Sequence, residues 1–310
     1  MAGFVGSHLA ERLVAEGHNV VGVDCFTDYY ARAIKEANLR DLLGSPRFKL
    51  IEADILELDW APLLAHTGYL FHQAAQAGVR GSWGDSFGIY VRNNVLATQH
   101  LLEAAKQAPA LKGLIFASSS SVYGDAETFP TPEDITPRPV SPYGVTKLAC
   151  EHLCRVYYQS FDIPVVMLRY FTAYGPRQRP DMAFHKFISA MLHDETITVY
   201  GDGEQTRDFT YVSDIVAANI LAMDHLHAGQ VFNIGGGSRI SVNAVIDLLE
   251  DIVGKPARRS HVARQTGDAR HTSAQVTRAR EVLGYQPRVG IGEGVRQEFA
   301  WLLSSAEHGN

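Results

Sequence analysis

The chain has 310 residues, 46% of them hydrophobic and 20% charged, enough to bury one large core or one core with a smaller lobe attached. A formal net charge of -6 excludes a general electrostatic drive toward nucleic acid or anionic lipid, so any bound phosphate must be held locally by a few Arg and backbone N–H groups. No apolar run reaches the ~18 residues of a membrane span, no signal-peptide layout is visible, and three cysteines are too few for a disulfide framework.

In chain order, Gly3 and Gly6 open a helical stretch over 7–16, and a β-rich run comes next over 18–24, ending at Asp24. A helix is expected over 31–43, then strands over 48–51 and 69–71, a helix over 94–107 and a strand over 111–117. The Ser141-Pro142 pair signals entry to a helix over 143–158, and a strand is expected over 163–169. Cys150 and Cys154, four apart on that helix, suit small buried thiols. Strands alternating with helices imply βαβ units and a doubly wound parallel α/β sheet. Past residue 170 the rhythm changes: 177–182 is rich in Pro and Arg, and Gly235, Gly236 and Gly237 punctuate the C-terminal part of the chain. We expect a first domain over 1–168 and a smaller interleaved lobe over 169–310, with about 205–235 returning to the first.

A dinucleotide fingerprint needs a strand, then glycines that let a pyrophosphate approach the backbone at a helix N-terminus, then the helix. Gly3 and Gly6 supply two of those glycines, and Asp24 ends the next strand at the distance expected for a carboxylate bonding ribose hydroxyls. The first glycine and the strand before it are not in this sequence. The expectation is that a functional chain begins upstream of Met1; the alternative is that this version is impaired.

Tyr143 and Lys147 form Y-x-x-x-K, on one face of a helix. A cation about 4 Å from a phenol favours its ionised form by ~4 kcal/mol at an effective dielectric of 20, so such a Tyr can exchange a proton with a sugar hydroxyl. Upstream, Ser118-Ser119-Ser120-Ser121-Val122-Tyr123-Gly124 lies at the carboxyl end of a strand, where ligands of parallel sheets bind; a plain polar turn is the alternative. The thirteen His lack ligand-like spacing, and no metal is expected.

Together these residues resemble the extended short-chain dehydrogenase/reductase family of NAD-dependent sugar epimerases and dehydratases, over residues 2–294. The resemblance implies a Rossmann-like sheet whose first strand is absent here. It assigns Gly3, Phe4, Val5, Gly6, Asp24, Asp54, Ile55, Gln73, Ala74, Ala75 and Asn94 to NAD, with Tyr143 and Lys147 also touching it. It makes Ser119, Tyr143 and Lys147 catalytic, and places Ser119, Ser120, Thr172, Arg179, Arg207 and Arg270 on the substrate. Arg207 matches an Arg that grips the pyrophosphate, a task suited to bidentate guanidinium chemistry.

Family members that dehydrate or decarboxylate keep a Glu two residues before the Tyr of V-Y-G, and dehydratases an Asp before it; here these are Ser121 and Ser120. Epimerisation is therefore favoured. Residues 168–182 resemble the UDP-glucuronate 4-epimerase subgroup, Thr172 and Arg179 being placed to hold a C6 carboxylate; a solvated basic loop is the bland alternative for Arg177 and Arg179. The implied reaction is C4 epimerisation of a UDP-sugar through a 4-keto intermediate, by a cytoplasmic homodimer. Competing readings are UDP-glucose 4-epimerase, UDP-glucuronate decarboxylase and a non-catalytic NAD-binding sensor.

Overall fold

The computed structural model describes residues 1–307, the last two by backbone alone. Helix α1 (Phe4–Ala15) leads to strand β1 (Val20–Asp24), which pairs in parallel with β2 (Phe48–Glu52). Between them lie α2 (Arg32–Ala37) and α3 (Arg40–Leu43), separate helices where one was expected over 31–43. A short α4 (Ala61–Leu64) precedes β3 (Tyr69–His72). The helix expected from 94 begins earlier, with α5 (Phe87–Tyr90), a π-turn over Val91–Leu96, then α6 (Ala97–Ala105). Strand β4 (Gly113–Ser119), the long helix α7 (Pro142–Phe161) and β5 (Val165–Tyr170) complete this half. Ser141 caps α7 by accepting the Gly144 N–H at 3.1 Å, Pro142 enters its first turn, and Asp162 ends it in a left-handed conformation.

The main sheet runs β3-β4-β5 and then β9 (Val231–Ile234), all parallel. Its central strands are buried on both faces, and their side chains alternate accordingly. Leu114, Phe116, Val165 and Met167 pack with Cys150 and Cys154 of α7, while Ile115, Val166 and Leu168 pack with Leu9 of α1 and Ile215. The β1–β2 pair forms a separate sheet, and among the described residues no strand joins it to β3. Met1 lies against β1, its amine donating to the Val23 carbonyl at 3.2 Å and its side chain lying over Gly22, where a Cβ would fall 2.5 Å from Met1 Cγ.

A second core lies beyond β5. It gathers β6 (Thr172–Tyr174), α8 (Ala183–Leu192), β7 (Ile197–Tyr200) and β8 (Thr206–Tyr211), with Tyr174, Phe184 and Phe209 at its centre. From β8 the chain enters α9 (Val212–Asp224), which packs back on β4 and β5 before β9. It leaves again through β10 (Ser238–Ser241), antiparallel to β8, then α10 (Val242–Val253) and β11 (Arg259–Val262), parallel to β7. Helix α11 (Thr277–Leu283) returns to β9, and α12 (Ile291–Glu307) closes the second core. No helix among the described residues is long and apolar enough to cross a membrane.

Candidate active site

The carboxyl ends of β1 to β5 open into a cleft of about 1060 Å³, closed on its far side by β6, β7, β8 and the segment before α8. Ligands of open parallel sheets bind at this end. The glycine corner forms one wall. The first intrahelical bond of α1 runs from the Ser7 N–H to the Gly3 carbonyl, so the Phe4, Val5 and Gly6 N–H groups have no partner within the helix. Among the described residues no side chain caps them, no acidic residue sits in the first turn, and a Cβ on Gly3 would meet only the Tyr30 hydroxyl, at 3.8 Å. Open donors on a positive helix end fit a dinucleotide pyrophosphate. Asp24 is already engaged: Oδ2 accepts from the Met1 amine (2.8 Å) and the Ala2 N–H (2.7 Å), and Oδ1 from the Phe26 N–H (2.8 Å). Burial opposes its charge, yet the amine and these donors hold its pKa below the usual carboxylate range. A ribose diol at Asp24 would have to share it with those donors. Asp54, Ile55, Gln73, Ala74 and Ala75 continue the same wall.

The serine run and α7 form the floor. Ser119 ends β4, accepting the Ser121 N–H at 3.1 Å and donating to the Ser121 hydroxyl at 3.1 Å. Tyr143 and Lys147 lie one turn apart on α7, and the Lys147 ammonium donates to the Ala117 carbonyl of β4 at 2.7 Å. The approach of α7 depends on Gly144, where a Cβ would fall 2.5 Å from the Ser121 carbonyl oxygen. Only a residue without a side chain lets α7 come this close to the serine run. The Tyr90 ring meets Tyr143 edge-on at 6.3 Å, and its hydroxyl donates to the Gly78 carbonyl. Gly144 and Tyr90 escaped sequence reasoning; the Gly inside Y-G-V-T-K was the available signal for the first.

On the substrate side, Ser120, Thr172, Arg179 and Arg207 line the cleft. Among the described residues no carboxylate pairs with Arg207: its Nη1 donates to the Thr206 and Arg270 carbonyls, and burial pushes its pKa down. A half-buried cation with no carboxylate in direct contact, Asp268 and Asp125 acting on it only through space, suits an anionic ligand. Arg179 pairs with Asp181 at 2.9 Å.

Two residues singled out from sequence stand outside the lining. Asn94 is buried in the π-turn, accepting the Gln76 N–H (2.7 Å) and donating to the Gln76 carbonyl (3.1 Å) and the Thr146 hydroxyl (3.0 Å). It therefore reaches a cofactor only by fixing the loop after β3 against α7; π-turns of this kind recur at functional sites. Arg270 turns its guanidinium to Asp202, at 2.6 Å, and contributes its carbonyl to Arg207.

A model of the NAD dependent epimerase/dehydratase family matches residues 1–235. A Bacillus subtilis protein described as an uncharacterized UDP-glucose epimerase, YtcB, is 45% identical over 98% of this chain and 96% of its own length. A UDP-glucuronate 4-epimerase of Thermodesulfobacterium geofontis is 35% identical over 99% of this chain and 95% of its own. Among solved structures, the Bacillus cereus UDP-glucuronic acid 4-epimerase in complex with UDP-glucuronic acid and NAD superimposes with a TM-score of 0.96. It is 44% identical, covering 98% of this chain and 97% of that one.

Proposed function

Since the chain belongs to the NAD-dependent epimerase/dehydratase family, we propose that it inverts C4 of a UDP-sugar, UDP-glucuronate to UDP-galacturonate, with NAD as a bound prosthetic group. The single observation carrying this reading is the convergence of Tyr143, Lys147, Ser119, Thr172 and Arg179 on one cleft beside the open N-terminus of α1. NAD, when bound, supplies the acceptor and then the donor of the C4 hydride. Tyr143 takes the proton of the C4 hydroxyl and returns it after the 4-keto sugar has turned over. Ser119, oriented by Ser121, hydrogen-bonds the same oxygen, and Lys147, braced on Ala117, keeps a cation beside the phenol.

Thr172 and Arg179 hold the C6 carboxylate. A 4-keto uronate is a β-keto acid, and a carboxylate kept near the sugar plane is slow to leave as CO2. The hydroxyls of Ser120 and Ser121 offer no carboxyl group for eliminating water or assisting decarboxylation. The nucleotide pyrophosphate falls to Arg207. The exposed apolar side chains of Ile89, Leu96, Val145 and Val156, on the adjoining helices α5 to α7 and the π-turn, support pairing of two copies through these helices. A cytoplasmic setting accords with three unpaired cysteines.

The test is Arg179→Ala, assayed on UDP-glucuronate and UDP-glucose. Activity on the uronate falls at least about 10-fold further than on the neutral sugar, with pentose by-product, as the loss of a charge-assisted contact predicts. Equal losses on both sugars favour a neutral-sugar epimerase, the activity named for the Bacillus subtilis relative.

A further inference from the structure

Arg179 has five N–H donors in a planar fork, and the structure shows which are taken. Nε donates to Asp181 Oδ1 at 2.9 Å and Nη2 to Asp181 Oδ2 at 3.0 Å, so the carboxylate grips the side edge of the guanidinium. Among the described residues Nη1 has no protein acceptor, and the side chain, 19% exposed, borders the cleft. Asp181 is gripped in turn: Oδ2 accepts from the Tyr29 hydroxyl at 3.2 Å, and the Arg179 guanidinium stands 5.7 Å from the Tyr29 ring centre. Tyr29 belongs to the loop after β1, on the cofactor wall opposite. Its hydroxyl presses on Gly78, where a Cβ would fall 2.5 Å away. Burial opposes the Asp181 charge, but the bonds and charge of Arg179 hold its pKa below the usual carboxylate range.

We infer that Asp181 and Tyr29 are positioning residues that hold Arg179 by its side edge, so that its free end is preset for the anionic group of the sugar. This rests on the carboxylate clamp proposed above. A long guanidinium arm loses rotamer freedom when it grips a ligand, and fixing it beforehand removes that cost from binding. Because Tyr29 rises from the cofactor wall, the clamp takes its alignment from the NAD side of the cleft as well as from its own segment. Residues 29 and 181 lie 152 positions apart, and nothing in the sequence joins them.

The sign of the effect separates positioning from simple charge. Asp181→Asn removes a negative charge near the subsite, so charge alone predicts tighter uronate binding, whereas positioning predicts weaker. On NAD-loaded full-length protein, calorimetric titration with UDP-glucuronate should show Kd raised about 10-fold for Asp181→Asn, with UDP-glucose changed less than about 2-fold. Tyr29→Phe should shift the uronate Kd in the same direction by about 3-fold. In the Arg179→Ala background Asp181→Asn should add nothing, since it acts through Arg179. Unchanged or tighter uronate binding by Asp181→Asn overturns the inference, as does equal weakening for both sugars or an additive loss in the double variant. If Arg179→Ala weakens both sugars alike, the clamp fails and takes this inference with it. If Arg179→Ala discriminates and Asp181→Asn does not, only the positioning role falls.

Discussion

One of the three Lys147 donors is fixed on the Ala117 carbonyl, and the ammonium is thereby set between the end of β4 and the cleft. The Tyr143 ring is held edge-on by Tyr90, and Ser119 is oriented by the Ser121 N–H. Each side chain proposed to react is thus aimed by a neighbour to which no chemical step is assigned. Tyr143→Phe keeps the ring and its packing while deleting the acid–base oxygen, so turnover should vanish while NAD loading, read by absorbance of the denatured supernatant, stays at the wild-type level. Turnover at the wild-type rate would sink the mechanism. Ser119→Ala removes one hydrogen bond to the reacting oxygen, and kcat should fall about 10²-fold with KM little changed. A fall confined to KM would mean that Ser119 only binds sugar.

At the scale of elements, α7 is fastened to the sheet behind the site by a buried pair: Arg169 of β5 and Glu151 of α7 meet at 2.6 Å, with side chains 5% and 6% exposed. The same guanidinium reaches the Tyr123 hydroxyl and the Glu133 carbonyl, and Glu151 also accepts from the Ser118 hydroxyl. Helix α12 carries a different buried acid. Glu298, fully buried, accepts the Gly175 N–H on Oε2, while Oε1 has no partner among the described residues, and burial pushes its pKa up to about 8 from an ordinary 4.5. Below about pH 4.5 folded and unfolded chains both hold this proton. Between there and about pH 8 the unfolded chain releases it first, so stability falls as pH rises, by roughly 1.4 kcal/mol per unit, and levels off above. Glu298→Gln should remove that slope, leaving Tm higher than wild type at pH 8.5 and similar at pH 5. Parallel Tm profiles for the two proteins would refute it. Strands β3, β4 and β5 of the parallel sheet were legible because doubly buried strands are written as apolar runs such as Leu114 to Ala117, and the Ser141-Pro142 entry to α7 because caps are local chemistry, whereas the four-residue β9 was not expected. The early start of α5 was hidden, since Gly84 and Gly88 mask the helical pattern and a π-turn shifts its phase. The supports of the site, Glu151 on Arg169 and Asp181 on Tyr29, join distant positions by folding alone, and no spacing rule announces them.

For the molecule as a whole, the exposed side chains of Leu96 (49%) and Val156 (52%) sit on helices that pack together, and paired copies would bury them. Leu96→Asp combined with Val156→Asp changes only solvent-facing positions, so the fold should survive while sedimentation velocity at micromolar concentration shifts from dimer to monomer. A wild-type chain that already sediments as a monomer would refute the pairing. The path of the chain has a consequence of another kind. It leaves the main sheet after β5, returns at Val212 with α9, departs again after Ile234 and comes back with Thr277–Leu283. The sugar side of the cleft is therefore assembled from several separate stretches of sequence, and no single splice point transplants it. Recombining one stretch between relatives would set half of a β8–β10 pair against a foreign neighbour. On such a path the sugar side is open to redesign by point substitution of single lining residues, not by exchange of one stretch.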